Sequence, residues 1–271
     1  MAVAHPVPSQ ADTAPALSLA EPLISVRDVG KTYSTGVVAL EGITFDVRPG
    51  QFVSLVGPSG CGKSTLLRII AGLGGISEGT VLVEGLPPRE SRQQRGDTGF
   101  VFQDATLMPW RDVVGNIELP LELRGVSRGE RRAKALEALQ TVGLTSFGRA
   151  YPRELSGGMK MRVSLARALA AGPRLLLMDE PFGALDEITR QRLNGELLTL
   201  CALAGWTVVF VTHNVFEAVF LSSRILVMSR QPGRIVASID VDLPSPRRPE
   251  LRTAAEYTRV VGQVISCLED A

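Results

Sequence analysis

LVGPSGCGKST, Leu55 to Thr65, sets Gly57, Gly60 and Gly62 ahead of Lys63, one of only four lysines among 271 residues. The spacing satisfies G-x-x-x-x-G-K-[ST]. It follows the apolar run FVSLV (Phe52 to Val56) and precedes KSTLLRIIAGL, whose apolar residues recur at helical spacing, so the pattern lies between a buried strand and a helix. Glycines there let the backbone fold back with its N–H groups converging on one point, because a Cβ would block close approach. The helix adds unpaired N-terminal N–H groups and the positive end of its dipole. Gly57, Pro58, Ser59, Gly60, Cys61, Gly62, Lys63, Ser64 and Thr65 are therefore expected to cradle phosphate oxygens. Lys63 would reach the β- and γ-phosphates of a nucleotide, and the Ser64 hydroxyl would coordinate Mg2+.

A phosphate cradle of this kind needs carboxylates at the end of a second buried strand. RLLLMDE (Arg174 to Glu180) supplies them, with Asp179 expected to hold the Mg2+ shell and Glu180 to polarise an attacking water. TVVFVTH (Thr207 to His213) and RILVMS (Arg224 to Ser229) share the near-continuous apolar character of strands covered on both faces, whereas ISVRDV from Ile24 and ITFDV from Ile43 alternate as one-face-buried antiparallel strands. Helical periodicity between the apolar runs predicts an α/β class fold with a parallel sheet, the cradle motif makes its core that of a P-loop NTPase, and the alternating strands add an antiparallel β subdomain.

Between Gln103 and Glu154 the strand signal vanishes. SRGERRAKALEALQTVGL opens with Ser127 three residues before Glu130, a capping-box spacing, carries Leu136 and Leu139 on one face, and stops near Gly143, so an α-helical subdomain is expected over about 104–160. The main domain is predicted over 22–241. DLPSPRRPE reads as an extended linker, and Tyr257, Val260, Val261, Val264 and Leu268 as the buried face of a last helix, so 242–271 is a linker and C-terminal helix. Residues 1–21, proline-broken and without a basic start, read as a disordered leader and not as a signal peptide.

Composition narrows the partners. Hydrophobic residues at 45% against 21% charged describe a globular chain, and a net charge of +1 provides no global field for nucleic acid. Cys61, Cys201 and Cys267 have neither disulfide nor metal-ligand spacing, which fits a reduced, cytosolic setting. No apolar run approaches the roughly 18 residues of a membrane span, so any membrane role is peripheral.

LSGGMKMRVSLARAL (Leu155 to Leu169) is the discriminating stretch. With it the chain resembles the ATP-binding cassette (ABC) ATPases, whose signature begins LSGG, from about Leu23 to about Arg234, and the resemblance implies a RecA-like P-loop NTPase core with an inserted α-helical subdomain. Alone, SGG would be a flexible turn. The resemblance implies that Ser156, Gly157 and Gly158 cap the γ-phosphate held by the P-loop of a second ABC subunit, expected as a homodimer, with two ATP molecules between protomers. It further implies that Tyr33 stacks on adenine, that Gln103 joins the Mg2+ and water network, that Asp186, ending GALD, links the two sites, and that His213 is the switch histidine on the γ-phosphate. By themselves Tyr33 reads as a strand-end tyrosine and His213 as a structural histidine. Asn214 stands where aspartate is more usual, and Met161 where glutamine is common.

The implied reaction is ATP and water to ADP and phosphate. With no span of its own, the chain would need separate transmembrane permease subunits and, indirectly, an extracytoplasmic solute-binding protein, and would sit at the cytoplasmic face of the inner membrane. The surface beginning DATLMPWRDVVGNIELPLELRG is where the resemblance places the permease contact; the apolar cluster Leu107, Met108, Pro109 and Trp110 reads equally as local core packing. Together with the signature variant GGMKMRVSLARAL and with MSRQPGRIVASIDVDLPSPR, this stretch resembles the nitrate, sulfonate and taurine importer branch, whose relatives also handle thiamine precursors and other small heterocycles. Two other classes stay open: a soluble ABC ATPase acting on nucleic acid or ribosomes, and a non-hydrolysing regulatory cassette.

Overall fold

Alternation near the start forms a small antiparallel sheet in the computed structural model, which describes residues 21–271 apart from 97 and 184. Strands β1 (Ile24–Thr32) and β2 (Val38–Val47) pair antiparallel. The period slips at Asp28, where φ is +48° and the register shifts, so that Val29 follows Val26 into the core. The leader expected over 1–21 lies, but for its last residue, outside the described residues.

The chain continues as β3 (Phe52–Val56), α1 (Lys63–Ile70), β4 (Glu78–Val83), α2 (Pro88–Gln94), β5 (Thr98–Val101), α3 (Val113–Leu123), α4 (Arg128–Thr141), α5 (Gly157–Ala170), β6 (Leu175–Asp179), α6 (Glu187–Ala204), β7 (Thr207–Thr212), α7 (Val215–Leu221), β8 (Arg224–Met228), β9 (Ile235–Asp240) and α8 (Ala255–Glu269). The small sheet has order β2-β1-β4 and the main sheet β5-β6-β7-β3-β8-β9. From β5 to β8 all pairings are parallel, and β9 returns antiparallel on the edge. Strands β3, β6 and β7 are buried at every position, as layers on both faces require.

This strand order positions the site. β6, β7 and β3 are immediate neighbours, with Asp179 paired to Val211 and Val56 to Thr212. The loops after Val56, Asp179 and Thr212 therefore leave the same end of the sheet side by side, where open α/β sheets bind ligands.

The helical subdomain is present, with α3 packed on α4 and α5. Its third helix runs to Ala170, past the boundary expected near 160. Helix α4 buries Ala135, Ala138 and Leu139 while Leu136 is exposed, so the expected Leu136–Leu139 face is corrected to one centred on the alanines. Ser127 Oγ accepts from Glu130 N, but the Glu130 carboxylate pairs with Lys134 one turn on instead of closing the box. The C-terminal helix buries Tyr257, Val260, Val261 and Val264 against the body.

Candidate functional site

The P-loop depends on close backbone approaches. Gly62, N-capping α1, has φ of +99°, and a Cβ there would meet the carbonyl oxygen of Ala39 at 2.8 Å. A Cβ on Gly57 would meet Met228 O at 2.8 Å and Cys61 Sγ at 2.9 Å. Lys63 is buried, and its Nζ donates to the carbonyl oxygens of Gly57 and Pro58, both at 2.8 Å. The ammonium is thereby held inside the loop whose phosphate it would neutralise.

Ser64 Oγ donates to Asp179 Oδ1 at 2.7 Å, joining the first turn of α1 to the end of β6. Asp179 is buried, and burial pushes its carboxyl above the usual range, opposed by the Ser64 hydroxyl, Arg68 and Lys63. A hydroxyl and a buried carboxylate that gains from added positive charge form an oxygen-only donor set, which fits Mg2+ completed by phosphate oxygens and water.

Glu180 follows at φ of +45°, a left-handed conformation that costs a non-glycine residue about 1–3 kcal/mol and is held there by its own N–H on Val211 O. Its Oε2 lies 3.0 Å from Nδ1 of His213, at the end of the adjacent β7. Tyr33, nearly half exposed just after β1, shares a 3.0 Å hydrogen bond between its hydroxyl and Thr65 Oγ1, with Lys31 over the ring. The structure thus brings together Tyr33, the P-loop, Asp179, Glu180 and His213.

The other expected residues stand apart. Gln103 lies in the exposed stretch after β5, and no hydrogen bond among the described residues ties it to Ser64 or Asp179. Ser156 N-caps α5, its Oγ accepting from Met159 N at 3.3 Å, with open space where a Cβ on Gly157 would point; Gly158 would meet Leu185 Cδ2 at 3.0 Å. Asp186 N-caps α6, and the N–H of Thr189 holds its carboxyl below the usual range. Both capped helix starts face outward from one chain. Asn214 caps α7 by accepting from Glu217 N, which an amide oxygen does as well as a carboxylate, and Met161 is buried in the main core.

Gly233 is a residue the sequence reading missed. A Cβ on it would lie 2.0 Å from the carbonyl oxygen of Cys61, so Gly233 forms the floor of the P-loop. Its N–H donates to Ala39 O, and its carbonyl accepts from Glu41 N. The Pro-Gly pair signals a turn, but nothing local signals which distant backbone it must admit.

The apolar cluster after Gln103 divides. Leu107 packs on the main core, whereas Trp110 is 72% exposed. An open groove of about 360 Å³ runs between β5, α3 and α5, lined by Phe100, Phe102, Met108, Leu119 and Leu123, the last 79% exposed. None of the helices among the described residues is long and apolar enough to cross a membrane.

Comparison with known proteins bears on these features. A family model described as ABC transporter matches residues 40–183. A taurine import ATP-binding protein, TauB, of Rhizobium johnstonii is 48% identical over 78% of this chain and 79% of its own length. A nitrate import ATP-binding protein, NrtC, of Synechococcus elongatus is 44% identical over 86% of this chain, which spans 35% of that longer protein. Among solved structures, the dimeric post-hydrolysis state of the cassette MJ0796 bound to ADP and Pi superposes with a TM-score of 0.74 at 35% identity, covering 82% of this chain and all of that one.

Proposed function

The chain belongs to the ABC transporter family, and from that premise we propose that it is the ATP-hydrolysing subunit of an importer for a small solute, a taurine-, sulfonate- or nitrate-like anion or a small heterocycle. Support for the solute class comes from the relatives named for taurine and nitrate import. The observation that carries the chemistry is the convergence of Ser64 with Asp179 and of Glu180 with His213 at the ends of three adjacent strands.

Tyr33 offers its ring to adenine. The P-loop N–H groups and Lys63 hold the β- and γ-phosphates, Lys63 leaving its carbonyl partners for phosphate oxygens. Ser64, Asp179 and Gln103 would hold Mg2+, which when bound would neutralise charge on the phosphate oxygens. Glu180 accepts a proton from water as the water oxygen bonds to the γ-phosphorus and the bond from that phosphorus to the bridging oxygen breaks, releasing ADP and phosphate. His213 contacts the γ-phosphate and fixes the Glu180 carboxylate.

Ser156, Gly157 and Gly158 face outward as an anion-binding helix start, suited to cap the phosphate of a second protomer, with Asp186 linking the two sites. The solved dimeric cassette bound to ADP and Pi supports the pairing of two cassettes. The exposed Trp110, together with the groove that Leu123 lines, offers the surface for a permease at the cytoplasmic face of the membrane, with a solute-binding protein acting from the other side. Affinity purification from native membranes tests this. A multi-span permease should accompany the tagged chain, with ATPase activity that Glu180→Gln abolishes; a soluble eluate of nucleic acid or ribosomal proteins would overturn the transport role.

A further inference from the structure

We infer that Glu217 is a positioning residue that holds His213 in place. Glu217 lies in the first turn of α7 and is 4% exposed. Its Oε2 accepts from the Thr212 hydroxyl at 2.6 Å, Thr212 Oγ1 accepts from Asn214 N at 3.0 Å, and Asn214 Oδ1 accepts from Glu217 N at 3.1 Å. These three bonds close a ring around the one residue between Thr212 and Asn214, which is His213. The end of β7 and the start of α7 are thus fixed to each other, and the imidazole projects from the fixed turn to reach Glu180 at 3.0 Å.

The other carboxyl oxygen of Glu217 is buried without a hydrogen-bond partner among the described residues, as is Oδ1 of Asn194. A half-satisfied buried carboxyl costs stability relative to an apolar side chain of the same size. What it supplies in return is an acceptor that sets the Thr212 hydroxyl, and through it the backbone on both sides of His213. Burial pushes the Glu217 carboxyl above its ordinary range, so a glutamine, neutral and with the same acceptor, can replace it.

This inference rests on His213 contacting the γ-phosphate, and the test separates the two. The chain has only two histidines, so a His5→Gln background leaves His213 as the sole source of imidazole ¹⁵N signals. Thr212→Val and Glu217→Leu should each replace the signature of one fixed Nδ1 hydrogen bond by an averaged one. They should also lower kcat for ATP about tenfold to a hundredfold, the scale of a misplaced group, with KM unchanged. Glu217→Gln should restore both. Thr212→Val, nearly isosteric, keeps the test decisive if Glu217→Leu does not fold. Unchanged ring signals in a folded variant, or kcat loss without a signal change, would overturn the positioning role. Wild-type kcat in His213→Ala would instead overturn the γ-phosphate reading, leaving the ring signals to decide the role of Glu217.

Discussion

Nδ1 of His213 lies 3.0 Å from Oε2 of Glu180, and Glu180 keeps that position with φ of +45°. A strained conformation sustained by a neighbouring strand and a hydrogen-bonded imidazole fixes this carboxylate in advance of the water that we propose it activates. Glu180→Gln should therefore lower kcat by at least about 100-fold, within the range for loss of a general base, while ATP affinity is retained. Parallel measurement of turnover and nucleotide affinity checks this; a variant hydrolysing at the wild-type rate would remove Glu180 from the chemistry.

Lys63 donates to two carbonyl oxygens of its own loop. Of the other lysines, Lys31 lies over the Tyr33 ring and Lys134 pairs with Glu130, and no hydrogen bond among the described residues places Lys160 at the loop. Lys63→Ala should abolish ATP binding or turnover, read by nucleotide titration and phosphate release.

Gly233→Ala would place a methyl group 2.0 Å from the Cys61 carbonyl oxygen, which is backbone and must move. ATP affinity should fall at least about tenfold, since displaced P-loop amides no longer converge on phosphate. Gly262→Ala, in α8 with open space at the new methyl, serves as the control: it should leave ATP affinity unchanged and add about 0.5–1 kcal/mol of stability. Calorimetric titration and urea unfolding of both variants check the pair.

The C-terminal segment grips α7, the helix that starts beside His213. Tyr257 donates to Phe216 O at 2.6 Å, Arg252 lies 3.7 Å over the Phe220 ring, and Arg247 donates to the carbonyl oxygens of Val219 and Phe220, burial pushing its guanidinium down to about 10. Tyr257→Phe should cost about 1 kcal/mol, the worth of one buried hydrogen bond. Arg247→Ala should cost more, because it strips two carbonyls at the end of α7. Urea melts of the two variants test the order.

For Glu217 the folded carboxyl binds its proton more tightly than the unfolded one. Between the ordinary carboxyl value and the raised one the native state holds more protons, so stability from this group is present in acid and lost as pH rises. Glu217→Gln should accordingly gain on the wild type at pH 8 and lose that gain as pH falls toward the ordinary carboxyl range. A difference that grows on acidification would reverse the sign.

What the sequence made legible was whatever a short window encodes. The cradle at 57–65, the carboxylates ending β6 and the histidine ending β7 each follow an apolar run, and the strands appear where those runs lie. The helix at 255–269 was readable because its apolar face keeps one period. Three strands carry no such signal: β4 is exposed over its first half, β5 has only four residues, and β9 is an edge strand with mixed burial. Leu136 misled because α4 rests on alanines, whose small side chains let helices approach closely. Gly233 and the Thr212–Asn214–Glu217 ring were invisible because their meaning lies in which atoms they meet, whereas Gln103 and Ser156 were named from the sequence but their expected partners, a metal and water network and a second protomer, lie outside the single chain.

The most direct measurement is the mass of the Glu180→Gln chain by light scattering with and without ATP and Mg2+. A shift from monomer to dimer that requires ATP, and that Ser156→Arg prevents, is the result expected if Ser156 and the P-loop of two protomers enclose the nucleotide. A chain that binds ATP to saturation and stays monomeric at high concentration would contradict it.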